Sequence, residues 1–491
     1  MSGAAGGFWQ SLLTYAGLDA LRRASFVVLL PVYLVYLAPD ALGALVLYNL
    51  MAALVAIVAN GRLDAAMRRL YFDYDTAAEQ EQYLSLLFSG SLALIVASLG
   101  VMCLLGPSLY STVFPNDAIR FFPLGIIALA TACANAALLP LFAFLRNRRA
   151  LREYSGYSLF LIIANLALQV VLIVLFGWGL RGALVGALLP PITLLVVLFT
   201  TRRRRLLRRP DWSALAPSIR FSLPLIAFAW LYLFESRLDR IALAQYFDLN
   251  TVGGYGLLAA LLGVCGMLLN ALDASIRPWL YTALGQAEQQ ARHAVRVFGG
   301  LYIATGLLVL ALVALVGSTL GLLTRDDTYL QVRAWLPLGV TALVPMLFTR
   351  FWGLLYLYAG RTVRLTLWTL CRTIVTIGLL IALTPRYGVP GVLIALLVSQ
   401  CANALIFRVE LARLSMVPSG DSGPVIQAAA FVAVIWSAWL IIDSAYPVLW
   451  GGVQCLSVGI LLALSNRTAV KQLRAIVDAH APAAKPNGVA S

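Results

Sequence analysis

Charged side chains stand inside apolar stretches of this chain, and their types and spacing are what could do chemistry. Asp19, Arg22 and Arg23 lie in the run 8–37, and Glu235, Arg237, Asp239 and Arg240 in the run 219–247. Arg350 and Arg372 lie in the runs 332–359 and 364–384. A charge at the centre of a bilayer costs about 2.5–3.5 kcal/mol on insertion scales, so it is retained for a reason. Arginine's planar fork grips phosphate and carboxylate oxygens through two parallel hydrogen bonds, which suits it to an anionic ligand. Spacings of three and four residues put Asp19, Arg22 and Arg23 on one helical face. Glu235 and Arg237 stand roughly 200° apart on a helix and cannot share a face. Mutual neutralisation is the plainer alternative: Asp19 with Arg22 or Arg23, and Asp239 with Arg237 or Arg240, would pair and tie helices together.

Composition supplies the elements that must position these groups. The 491 residues are 61% hydrophobic and only 12% charged, with a mean hydropathy of +0.88, far from the balance of a water-soluble domain. About fourteen apolar runs reach the ~20 residues needed to cross a bilayer, near 8–37, 41–60, 82–106, 119–145, 154–177, 181–201, 219–247, 252–274, 295–323, 332–359, 364–384, 389–411, 424–443 and 446–466. The fold expected is all-α and integral to the membrane. The net charge of +15 is unevenly placed. With the N-terminus inside, most Lys and Arg fall on the cytoplasmic connections and the C-terminal tail, against Arg120, Arg181, Arg325, Arg333 and Arg386 outside. The positive-inside rule therefore places both termini in the cytoplasm. The run Arg202–Arg205 follows a spanning segment and reads as an anchor to anionic membrane lipids, not to nucleic acid. The six cysteines lie in apolar runs without metal-ligand spacing, and the two histidines lie outside the spans. No metal site or cofactor is indicated.

A phrase is said twice. Leu63-Asp64-Ala65-Ala66-Met67-Arg68 returns as Leu272-Asp273-Ala274-Ser275-Ile276-Arg277, a shift of 209 (272 − 63). Gly179-Leu180-Arg181-Gly182 is echoed by Gly388-Val389-Pro390-Gly391 at the same shift, and Pro39–Gly43 by Leu249–Gly253 at 210 (249 − 39). Six spans separate the copies, which returns the chain to the same side. The expected architecture is two parallel six-helix lobes, 1–201 and 219–412, related by a pseudo-two-fold axis along the membrane normal. A basic linker, 202–218, joins them; a further helix pair fills 413–466, and the tail 467–491 reads as disordered. Asp64/Arg68 and Asp273/Arg277 stand at i,i+4 on the cytoplasmic ends of the second and eighth helices. They are helix-end anchors, or a gate whose two halves make and break contacts as the lobes rock. Buried amides at Asn49, Asn135, Asn165, Gln169, Gln400 and Asn403 read as bridges between helices.

Pro224-Leu225, Asp239-Arg240, Val252-Gly253-Gly254-Tyr255-Gly256, Pro278 and Arg386-Tyr387-Gly388-Val389-Pro390-Gly391 together resemble the second-lobe pattern of polysaccharide flippases, of the O-antigen and exopolysaccharide type. These belong to the multidrug/oligosaccharidyl-lipid/polysaccharide exporter superfamily. The resemblance covers most of the chain and implies a transporter of the bacterial inner membrane that moves an oligosaccharide linked to undecaprenyl pyrophosphate, for polysaccharide biosynthesis. A water-filled cavity between the lobes would be lined by Asp19, Arg22, Arg23, Glu235, Arg237, Asp239, Arg240, Arg350 and Arg372. A polysaccharide polymerase is the partner implied, and proton or sodium coupling the energy source, with Asp19, Glu235 or Asp239 as titrating groups. A cation-coupled multidrug exporter of the same superfamily is the alternative. A membrane glycosyltransferase or O-antigen ligase is remoter, because no extracytoplasmic connection exceeds about a dozen residues and an enzyme leaves the repeat unexplained.

Overall fold

The structure, a computed structural model, describes residues 28–114, 119–206, 211–285, 288–318, 326–413 and 423–441, with a few isolated positions before 28. Every regular element among them is helical. Residues 28–36 are helical, and thirteen named helices follow. They are α1 (Pro39–Ala59), α2 (Leu63–Leu70), α3 (Ala77–Val113), α4 (Ile126–Asn147), α5 (Leu151–Val170), α6 (Gly179–Leu206), α7 (Trp212–Glu235), α8 (Leu238–Tyr246), α9 (Leu249–Leu284), α10 (Glu288–Ser318), α11 (Asp327–Tyr358), α12 (Thr362–Arg413) and α13 (Gly423–Ile441). Among the described residues ten helices are long and apolar enough to cross a membrane, so the chain is a multi-pass membrane protein. The 52-residue α12 is interrupted at Gly388 (φ 60°, ψ −135°) and carries both the eleventh and twelfth expected spans. Most of the first span, the whole of the fourteenth at 446–466 and the tail lie outside the described residues.

The chain divides into two compact units, Met1–Leu257 and Leu258–Ser491, so the boundary falls inside α9. In the first unit, Leu63, Met67, Phe88, Leu138, Leu141 and Leu215 belong to one buried cluster that joins α2, α3, α4 and α7. The helix starts follow local chemistry. Thr76 and Glu79 form a reciprocal capping box at α3, and the Asp211 carboxylate accepts the N–H groups of Ser213 and Ala214 at α7; each satisfies donors that a helix start leaves unpaired. Tyr83 hydrogen-bonds Ser218 at 3.0 Å, and Ser222 donates to the Arg62 carbonyl at 3.1 Å, which fastens α7 to this unit.

The echoed landmarks have steric causes. Gly179 (φ 50°) and Gly388 (φ 60°) both hold a positive φ, a conformation that only glycine adopts at no cost. Three residues on, Gly182 and Gly391 each lie against the preceding helix: a Cβ would stand 3.1 Å from the Leu172 carbonyl oxygen in one and 2.4 Å from that of Leu383 in the other. Inside the first unit the first turn of α9 crosses the first turn of α1. There a Cβ on Gly43 would meet the Leu249 carbonyl oxygen at 2.1 Å, and one on Gly253 that of Pro39 at 1.9 Å.

The Leu-Asp phrase, by contrast, does not fold alike in its two copies. Gly61 (φ 60°) and Arg62 (φ 50°) make an elbow that ends α1 and sets Leu63–Leu70 off as a separate helix. Leu272-Asp273 lies within the uninterrupted α9. At the elbow Asp64 is wholly buried and accepts from Arg68 Nη2 at 2.9 Å and from Asn60 Nδ2 at 3.5 Å; Ser91 Oγ in turn donates to Asn60 Oδ1 at 2.5 Å. Replacing Asp64 with alanine leaves Asn60 and Arg68 without that acceptor. It should destabilise the protein by about 1–3 kcal/mol, read as a lower unfolding temperature in detergent. An unchanged temperature would mean that the buried carboxylate holds nothing.

In the second unit α10 packs on α11 through Gly299, Gly306 and Gly317. A Cβ on these would press on Phe351, Leu347 and Leu336 at 3.0, 2.6 and 2.5 Å. The first helix of the appended pair, α13, is tied to α11 by the Trp436 indole N–H, which donates to Thr341 at 3.1 Å.

Candidate functional site

The run 219–247, expected as one span, is broken. α7 ends at Glu235 and α8 begins at Leu238, so Glu235, Arg237, Asp239 and Arg240 gather at a discontinuity instead of lining a continuous helix. A helix end within an apolar segment exposes carbonyls that lipid cannot satisfy, so it is tolerated only where protein or water reaches them. Here Arg240 reaches back: its Nη1 donates to the Ser236 carbonyl at 3.2 Å and to Asp239 Oδ1 at 3.3 Å. The other oxygen of Asp239 accepts from the Tyr255 hydroxyl at 2.5 Å. Side chains of Arg240 and Asp239 are each 12% exposed, so the cluster is largely but not completely sealed. Arg237 and Glu235 flank the break and are half-buried. Just beyond α8, hydrogen bonds from the Thr251 hydroxyl and N–H and from Asn250 hold the Asp248 carboxyl below the usual carboxylate range.

A second cluster of the same composition stands in the other unit. Asn270 and Asp273, three residues apart on α9, share one face. Tyr302 on α10 is fully buried between Gly299 and Gly306 and donates to Asp273 Oδ1 at 2.5 Å. Arg350 on α11 donates through Nη1 to Asn270 Oδ1 at 2.8 Å and to Asp273 Oδ2 at 3.2 Å. The Arg350 side chain is 24% exposed and that of Asp273 17%.

Of the residues singled out in the sequence, Asp239 and Arg240 stand in direct contact. Arg350 is joined to Asp273, which spacing had paired with Arg277. Arg277 is exposed and is not among the partners of Asp273. The Asp64/Arg68 pair is formed, as given above. Arg372 is half-buried on α12. Asp19, Arg22 and Arg23 lie outside the described residues. Tyr255, named only within a glycine-rich phrase, and Tyr302 and Asn270, not named at all, carry the two clusters without having been expected at the site; a tyrosine deep in an apolar run was the available signal, since a buried hydroxyl needs a partner.

Smaller polar features complete the picture. A cavity of about 130 Å³ inside the first unit is lined by Ser25, Tyr33, Asn49, Thr131, Asn165 and Gln169, among others. Tyr33 donates to Gln169 Oε1 at 2.5 Å, so Gln169 does bridge helices, whereas its Nε2 donates to Asn165 Oδ1 at 2.8 Å within α5. Among the described residues no group of three or more His, Cys, Asp or Glu could hold a metal ion.

No known protein family matches the sequence, and no curated protein is similar to it in sequence. Solved structures are similar in fold. A lipid II flippase, MurJ, in an inward closed conformation superposes with a TM-score of 0.62 at 14% identity, covering 94% of this chain and 99% of that one. A multidrug resistance transporter of the MATE family and MOP superfamily, in an inward-facing conformation, gives 0.60 at 15% identity, covering 80% and 95%. The chain has the all-helical membrane fold of these transporters.

Proposed function

We propose that the chain is a flippase that carries an isoprenoid-pyrophosphate-linked oligosaccharide, of the undecaprenyl type, across the bacterial inner membrane by alternating access, for polysaccharide biosynthesis. The observation that carries this reading is the pair of arginine–carboxylate–tyrosine clusters set within apolar segments, one at a broken helix. Secondary transporters often form their sites at discontinuous helices, and arginine matches the oxygens of a pyrophosphate. Fold likeness to a lipid II flippase over nearly the whole of both chains supports a lipid-linked substrate. On this reading each unit offers the head group an arginine, Arg240 in the first and Arg350, beside Asp273, in the second; Asp64, Arg68 and Arg277 lie towards the cytoplasm, as do the termini. A polymerase that consumes the translocated unit would be the partner, and proton or sodium coupling would return the carrier.

A cation-coupled multidrug exporter is the second reading, favoured by a fold likeness to a MATE transporter of nearly the same TM-score. Cells lacking the chain distinguish the two. The flippase reading predicts loss of surface polysaccharide with lipid-linked oligosaccharide retained on the cytoplasmic leaflet, and unaltered drug susceptibility. Normal polysaccharide with heightened susceptibility to cationic drugs would establish the exporter instead.

A further inference from the structure

The two copies of the Leu-Asp phrase place their carboxylates in different circumstances. Asp64 is sealed, its side chain 1% exposed, and its cation comes from its own helix one turn on. Asp273 is reachable, its side chain 17% exposed, and its cation comes from α11, 77 residues along the chain. Arg350 serves Asn270 and Asp273 through one and the same nitrogen, at 2.8 and 3.2 Å. This is a one-sided contact and not the parallel fork that makes arginine–carboxylate pairs tight. A pair that is both accessible and loosely made can be exchanged for a better one.

We propose that Asp273 is a built-in competitor for Arg350: the substrate's phosphate oxygens and the Asp273 carboxylate contend for the same guanidinium, so the head group binds by displacing Asp273 and leaves when Asp273 returns. This rests on the reading of a pyrophosphate-bearing substrate. A phosphate group offers several oxygens to the fork where Asp273 offers one, which gives the ligand its advantage. The displaced carboxylate keeps a donor, because Tyr302 holds its other oxygen at 2.5 Å from a fully buried position. Tyr302 therefore parks Asp273 close by, and the cost of stranding a charge with no hydrogen-bond partner is avoided. The internal anion makes release as easy as capture, which a carrier requires and a tight binder does not.

The test uses the full chain in lipid nanodiscs with farnesyl pyrophosphate as the probe. In Asp273→Asn the competitor loses its charge but keeps an oxygen for Tyr302. This variant should bind the probe roughly fivefold more tightly, the scale of one part-exposed ion pair, with correspondingly slower dissociation. Arg350→Gln should lose about tenfold or more in affinity, as truncation of a hydrogen-bonded charge partner does. Tighter binding is a gain that mere structural damage would not produce. If Arg350→Gln weakens binding while Asp273→Asn leaves it unchanged or weaker, Asp273 is a strut and the competition is overturned, although the phosphate site stands. If neither the wild type nor Asp273→Asn binds the probe, the pyrophosphate reading itself fails, and the competition with it.

Discussion

Gly253→Ala should be among the most damaging single methyl groups that can be added to this protein. Its Cβ would stand 1.9 Å from the Pro39 carbonyl oxygen and 2.9 Å from the carbon behind it. Both are backbone atoms in the first turn of α1, so no rotamer change relieves them. Gly43 meets the Leu249 carbonyl oxygen in the reciprocal way at 2.1 Å, and the crossing could re-form only with the two helices pushed apart. Overpacking of a well-filled site costs about 1–3 kcal/mol; with backbone on both sides the upper end, about 3 kcal/mol, is expected. Gly263 and Gly266 lie further along the same helix with nothing within 4 Å of an added Cβ. Alanine there should be neutral or gain about 0.5–1 kcal/mol from helix propensity. Thermal unfolding in detergent separates the cases. Equal unfolding temperatures for Gly253→Ala and Gly263→Ala would show that α1 and α9 do not cross at this distance.

Arg240→Ala should abolish transport while protein still reaches the membrane. The side chain joins three things at once: the Ser236 carbonyl at the end of α7, the Asp239 carboxylate, and through it the Tyr255 hydroxyl. Without it Asp239 keeps a single side-chain donor in a largely dry setting. Truncating one partner of a buried, hydrogen-bonded charge pair costs about 2–5 kcal/mol in binding, which corresponds to at least ~30-fold in rate if substrate uses the same group. Arg240→Lys keeps the charge but not the fork, and should retain a minor part of the activity. The measurement is surface polysaccharide per unit of membrane-inserted protein. Full export by Arg240→Ala would remove this cluster from the site.

How far the sequence could be read depended on what each residue needed. The repeat was legible because its landmarks are glycines under steric constraint. Gly179 and Gly388 must hold a positive φ, Gly182 and Gly391 lie against a carbonyl, and Gly43 and Gly253 touch one another's helices; no other side chain fits such positions, so spacing alone revealed them. The spanning segments were legible for a similar reason, since hydropathy measures their length; ten helices among the described residues have it. The break at Ser236-Arg237 was not, because nothing in Leu233-Phe234-Glu235-Ser236-Arg237-Leu238 forbids a helix. Only the crowding of four charges within six positions of an apolar run hinted that backbone was interrupted there. The Asp273–Arg350 pair was hidden more deeply. A rule of i,i+4 neighbours proposes Arg277, whereas the partner chosen by packing comes from two helices away. Identical phrases likewise took different local forms, since the elbow at Gly61-Arg62 has no counterpart before Leu272.

Reconstitution shows whether the chain moves a pyrophosphate-linked glycan. Purified protein in vesicles would be given an isoprenoid-pyrophosphate oligosaccharide carrying a terminal sugar label, with accessibility of the label followed by an impermeant glycan-modifying enzyme. Translocation should depend on the wild-type chain and be lost in Arg240→Ala, as flippase action requires. No chain-dependent translocation of the labelled lipid, together with ion-driven export of a cationic dye from the same vesicles, would contradict it.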